Sequence, residues 1–429
     1  MKQKESLFKY NGVNYLVPFI LVSILFLLWG IANNMTDTLL SAFKRIMSMS
    51  DTQTTFIQFA FYGSYFCFAL PAALYIKKYS YKSGVILGLG LYAAGAILFF
   101  PAAKTASYAF YLIAIYILAG GCSILETTAN PYILTMGSPQ TATRRLNVAQ
   151  AFNPIGSITG ILLSQFFILS ELNSATATAR AAMTEQELEA IQAHELGAVT
   201  GTYMTLGFVL LGILVLMLFV NMPKGGDTDK NIALKDTFGR LFKNKKYLFG
   251  VIAQFFYNGA QIGVWSFTIR YVMQELNVLE KDASNIYLIA IVCFCISRFI
   301  FTWLMKYFAP SRLMKWASWG ALIATVLVIF TSGMGWLPII ALIVISVFMS
   351  LMFPTIYGIA LEDVGNDTKI GASGLIMAIF GGAVITPVQG MVSDKFGVNI
   401  SYIVPLICFI VILAFSVYAD KQRKAVTAA

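Results

Sequence analysis

Long apolar runs, each closed by a short polar or glycine-marked break, repeat along the whole chain. They place membrane spans at roughly 15–38, 53–76, 83–103, 107–134, 145–170 and 201–222, then at 247–270, 284–307, 312–332, 336–361, 370–392 and 399–419. Each run is near the ~20 residues that an α-helix needs to cross a bilayer. Helices, not a barrel, fit that pattern, so the expected class is an all-α membrane protein with twelve transmembrane helices. The first, fourth, fifth, seventh and tenth runs are polar for helices that face lipid, and they are expected to line something wet. The first run leads directly into Asn33, Asn34 and Asp37 with no small-residue cleavage signature, so it is expected to stay as a span.

Composition agrees. Hydrophobic residues make up 58% and charged residues 12%, with a mean hydropathy of +0.74, far from the roughly 25% charged residues of soluble domains. Lysine and arginine are unevenly placed: 22 fall on the side of the termini and 7 on the other. That bias predicts both termini in the cytoplasm. The net charge of +10 is then accounted for by a solvated inner face opposite anionic lipid, with no nucleic-acid partner.

Two connections are long. Residues 223–246 are basic and polar and read as a cytoplasmic linker between a first half, 1–222, and a second half, 247–429. The other lies outside, between spans five and six, where TEQELEAIQAHEL has a capping-box start and helical spacing. A short external helix is expected there, as a plain connector.

Two carboxylates interrupt the apolar pattern. Asp37 closes WGIANNMTD and Glu126 sits inside ILAGGCSILETTANPYIL. A charge in hydrocarbon costs a few kcal/mol or more, so such residues face a polar cavity and mark an ion or substrate path. Asp37 has a plainer alternative, capping span one beside Lys44 and Arg45, and Glu126 has one as structural partner to a buried donor. Amides from the polar spans supply donor–acceptor pairs that suit hydroxylated solutes: Asn34, Asn130, Gln150, Asn153, Gln254, Asn258 and Gln261. Asn130 and Asn153 each precede a proline, so they equally suit carbonyls freed by a helix break. Trp265, Phe353 and Tyr357 are candidate platforms for an apolar ring face, in a chain where 14% of residues are aromatic.

Arg298 is the one cation placed within a span, either snorkelling or bridging the halves, with bridging preferred. Lys77, Lys78, Tyr81 and Lys82 fall in the short loop expected between spans two and three. His194 and the five cysteines have no metal-ligand spacing, so neither metal nor disulfide is expected. GLGLYAAG reads as close helix packing rather than a nucleotide loop. With no ATP site, energy is expected from an ion gradient.

A faint repeat relates the halves, with FLLWGIANN over FFYNGAQIG and Pro131-Tyr132 over the Pro354 to Tyr357 stretch. Parallel six-span repeats with a site between them at the midplane are the organisation of major facilitators. WGIANNMTD, IQFAFYGSYF, IKKYSYKSG, LETTANPYI, RLNVAQAFNPIG, YNGAQIGVWSFTIRYV and VSDKFG together resemble the fucose–galactose–glucose:proton symporter family of that superfamily, over nearly the whole chain. AQIGVWSFTIRYV is similar to the L-fucose branch; the glucose/galactose branch carries an acidic residue where Gln261 stands.

The resemblance implies proton-coupled sugar uptake, L-fucose before glucose or galactose. It implies Asp37 as proton acceptor and Glu126 as the carboxylate linking protonation to sugar, and it places Asn34, Gln150 and Asn153 on motif positions. A carboxylate whose cavity opens and closes exchanges a proton as its surroundings change. No cofactor, no enzyme activity and no obligate protein partner are expected; the partners are a small sugar and the lipid bilayer. A membrane enzyme would need an acidic metal cluster at a membrane face, a sugar sensor a long signalling segment, and a drug:proton antiporter a less amide-rich core.

Overall fold

The structure is a computed structural model, and it describes residues 7–428 apart from 11, 48–50, 106, 174, 176–178, 181, 221 and 223–232. Twelve helical spans run back and forth. The first six are Leu16–Ile46, Asp51–Lys78, Tyr81–Thr105, Tyr108–Thr135, Pro139–Glu171 and Glu185–Phe219. The second six are Lys245–Leu276, Glu280–Leu304, Pro310–Phe330, Trp336–Ala360, Gly365–Phe396 and Val398–Ala425. Eleven of the described helices are long and apolar enough to cross a membrane. Lys245–Leu276 falls short because Gln254, Asn258, Gln261, Arg270, Gln274 and Glu275 dilute it. It is nevertheless a continuous helix of 32 residues packed among apolar neighbours.

Spans one to six pack on one another, as do spans seven to twelve, and the two groups meet where span two lies on eleven, five on eight and ten, and four on eleven. Small residues permit close approach. A Cβ at Gly156 would sit 2.0 Å from the Leu27 carbonyl oxygen, so glycine there lets spans one and five touch backbone to backbone. Near the face that carries the termini, Gly358 likewise abuts Thr143 across the two groups. Hydrogen bonds that join the groups include Lys77 Nζ to the Asn366 carbonyl at 3.4 Å and Asn147 Nδ2 to Thr355 Oγ1 at 3.2 Å. The Lys369 ammonium lies 5.1 Å from the centre of the Tyr81 ring. These contacts close the terminal face.

Two expectations need correction. The external helix is not separate: Thr184 and Glu187 form the capping box, but the helix they start runs unbroken into span six, Glu185–Phe219. Within the polar linker, Leu234–Lys243 is an amphipathic helix whose Arg240 grips Asp367 through Nε at 2.7 Å and Nη2 at 2.8 Å; residues 223–232 lie outside the described set. Nor is the basic charge all solvated. Arg145 is fully buried and donates to the Ile133 and Leu134 carbonyls at 2.8 and 2.6 Å, satisfying the end of span four, and Lys77 and Lys369 are buried as well.

Candidate functional site

Span four presents a carboxylate that no described residue pairs with. Glu126 is 1% exposed, and among the described residues neither of its carboxylate oxygens has a hydrogen-bond partner. At Gly121, five residues before Glu126, a Cβ would meet the Tyr92 backbone nitrogen at 2.2 Å, so span three presses directly on span four there. Buried polar atoms are nearly always paired, yet more unpaired ones surround Glu126. Tyr65, from span two, stands within interaction range of the carboxylate without reaching hydrogen-bond geometry, and Tyr357, from span ten, lies within its electrostatic reach. The Tyr65 and Tyr357 hydroxyls and the Trp29 indole N–H are all buried and, among the described residues, unpartnered.

Aromatic rings from both groups of spans make the adjoining wall. Phe353 and Tyr357, one turn apart on span ten, stack at 6.4 Å with an 18° interplanar angle. Phe353 also meets Trp29 of span one at 6.4 Å and Tyr257 of span seven at 6.1 Å. Trp29 is held in place because its neighbour Gly30 has no Cβ to clash with the Asn153 carbonyl, which would lie 2.2 Å away.

The amides divide into two groups. Asn130 donates to the Glu126 main-chain carbonyl at 3.0 Å and accepts from Gln150 Nε2 at 2.8 Å. The carbonyl it reaches is one residue before that of Thr127, which Pro131 leaves without its helical donor. Asn34 donates to the Gly30 carbonyl at 3.2 Å and Asn153 to that of Phe26 at 3.4 Å, both half-buried. On span seven, Gln254, Asn258, Gln261 and Trp265 share one helical stripe. Asn258 donates to the Gln254 carbonyl at 2.7 Å, while the fully buried Gln254 amide is unpaired at both ends among the described residues. Gln261 is half-buried.

Glu126, Asn130, Gln150, Phe353 and Tyr357 are thus linked through direct contacts or charge. Trp265 belongs to a different cluster, its N–H donating to Ser346 Oγ at 3.3 Å and its ring meeting Phe294 at 5.1 Å. Asp37 lies in the first span with its side chain outside the described set. Trp29 and Tyr65 were missed from sequence, although Trp29 directly precedes the Gly30 break and Tyr65 falls in IQFAFYGSYF. Among the described residues, no three His, Cys, Asp or Glu side chains gather as a metal site.

Comparison with known proteins places this geometry. The Major Facilitator Superfamily model matches residues 19–387. The L-fucose-proton symporter of Haemophilus influenzae is 43% identical over 96% of this chain and 98% of its own, and that of Escherichia coli is 36% identical over 95% and 94%. A glucose/galactose transporter of Brucella abortus is 30% identical over 95% of each. The crystal structure of the transporter FucP in the outward conformation superposes with a TM-score of 0.87 at 36% identity, covering 94% of this chain and 99% of that one. The proton:xylose symporter XylE, at 12% identity and a TM-score of 0.65, shares the fold alone.

Proposed function

The chain belongs to the major facilitator superfamily and has its twelve-helix fold, and we propose that it is a secondary transporter taking up L-fucose together with a proton. It is not an enzyme. The observation that carries the reading is Glu126: a carboxylate buried in a membrane span, without a hydrogen-bond partner among the described residues, and within reach of the unpaired Tyr65 and Tyr357 hydroxyls from the two groups of spans. Such a group suits an occupant that brings hydrogen-bond donors and an apolar face, as a deoxy sugar does. The identity to two L-fucose-proton symporters over nearly full length supports the choice of sugar.

In this reading residues 1–222 and 247–429 are the two rocking halves, both termini are cytoplasmic in a bacterial inner membrane, and the closed terminal face makes this the outward-facing state. Asp37 takes the proton from outside, and the sugar then binds against Glu126. Its apolar face lies on Phe353 and Tyr357, with amides from Asn34, Gln150, Asn153, Asn258 and Gln261 on its hydroxyls. Loading lets the halves rock, and sugar and proton leave inward. The proton gradient is the energy source, and no cofactor or protein partner takes part.

Adding L-fucose to a lightly buffered suspension of de-energised cells expressing the protein tests this. Alkalinisation of the medium with L-fucose, and not with glucose or galactose, is expected. Alkalinisation with glucose or galactose alone would move the substrate to the other branch, and no pH change with any of the three sugars would overturn the coupling.

A further inference from the structure

Pro154 and Pro354 each stand four residues beyond a carbonyl that an unbroken helix would satisfy, those of Gln150 and Ser350. Proline has no N–H to give. Span five accordingly breaks between Ala142–Gln150 and Phe152–Phe167, and span ten between Trp336–Met349 and Met352–Ala360. The two freed carbonyls converge on one side chain. Arg298, on span eight, donates through Nε to the Ser350 carbonyl at 2.6 Å and through Nη1 to the Gln150 carbonyl at 2.8 Å. Arg298 is 3% exposed, and its guanidinium lies 4.7 Å from the centre of the Phe294 ring. Among the described residues no carboxylate pairs with it, so its hydrogen-bonding partners are these carbonyls.

We propose that Arg298 is the latch holding the two halves together on the terminal side, closed by clamping the carbonyls that Pro154 and Pro354 set free. The Ser350 bond lies within the second half and orients the guanidinium fork; the Gln150 bond crosses to the first half and is the one that breaks when the halves part. A planar guanidinium presents two donors in fixed geometry, which an ammonium cannot do. The latch is wired to the site, because the side chain of the same Gln150 donates to Asn130, which donates to the main chain of Glu126. A shift of span four on loading therefore reaches the clamped carbonyl through two hydrogen bonds. Arg298 is a positioning residue: it acts on the halves rather than on the sugar. The proposal rests on the transporter reading, since a latch matters only if the halves separate.

The test is thiol labelling of Thr143→Cys, buried against Gly358 in the closed interface, after the five native cysteines are replaced. Labelling from the terminal face is expected to speed up about tenfold with Arg298→Met, as loss of a charge-assisted hydrogen bond implies, and by an intermediate factor with Arg298→Lys. Pro154→Ala returns an N–H to the Gln150 carbonyl, so in that background Arg298→Met is expected to change labelling less than about threefold. If Arg298→Met fails to fold, Arg298→Lys serves in both backgrounds. Labelling unmoved by either arginine variant, or an equal effect with and without Pro154, would overturn the latch. The readout needs no sugar, so failure of L-fucose transport in the unmutated protein would strike the functional reading instead.

Discussion

Gln150 donates its side-chain amide to Asn130 Oδ1 at 2.8 Å, tying span five to span four one turn from Glu126. Gln150→Ala leaves a buried acceptor unpaired, a loss of about 1–3 kcal/mol. L-Fucose affinity measured by calorimetry should fall roughly tenfold with only a modest drop in melting temperature. Unchanged affinity would remove Gln150 from the site.

The Tyr357 hydroxyl is buried and has no hydrogen-bond partner among the described residues. Tyr357→Phe therefore costs no internal hydrogen bond, and thermal stability should hold or rise. L-Fucose affinity should fall about five- to tenfold, equivalent to ~1–1.4 kcal/mol, if the hydroxyl meets the sugar. Tyr65→Phe should behave alike, and a large loss of stability in either variant would mean that the hydroxyl is structural.

The two carboxylates should separate on substitution. Asp37→Asn is expected to abolish accumulation against a gradient while sugar exchange persists. Glu126→Gln should change sugar affinity and flatten its dependence on pH, because the proposed mechanism then lacks its ionisable group beside the sugar. Accumulation by Asp37→Asn, measured as the inside-to-outside ratio of labelled sugar, would refute its coupling role.

Away from the site, Arg180 and Glu195 pin the loop before span six: the guanidinium donates through Nη1 to Glu195 Oε2 at 2.9 Å, and both are buried. The carboxylate holds the Arg180 guanidinium above its ordinary pKa, chiefly by hydrogen bonding. Breaking a buried pair by removing one partner costs about 3 kcal/mol or more. Glu195→Gln should lower the melting temperature by several degrees and leave L-fucose affinity unchanged; a loss of affinity would draw this loop into binding.

Span number and order were legible because hydrocarbon thickness fixes the length of each apolar run. Helix ends were less so: span one continues to Ile46 and span six begins at Glu185, since a helix does not stop where its apolar part meets water. Glu126 stood out because a carboxylate in such a run is costly. Trp29 and Tyr65 did not, since aromatic side chains in a membrane protein ordinarily pack or sit at the interface. The partners of Arg298 are main-chain carbonyls brought together by packing, yet the positions of Pro154 and Pro354 mark both in advance.

Uptake of labelled L-fucose into proteoliposomes holding the purified protein, with and without an inward proton gradient, tests the central claim most directly. Accumulation that requires the gradient, competed by unlabelled L-fucose and not by glucose, is the predicted result. Equal uptake with and without the gradient, or none with it, would contradict proton-coupled L-fucose transport.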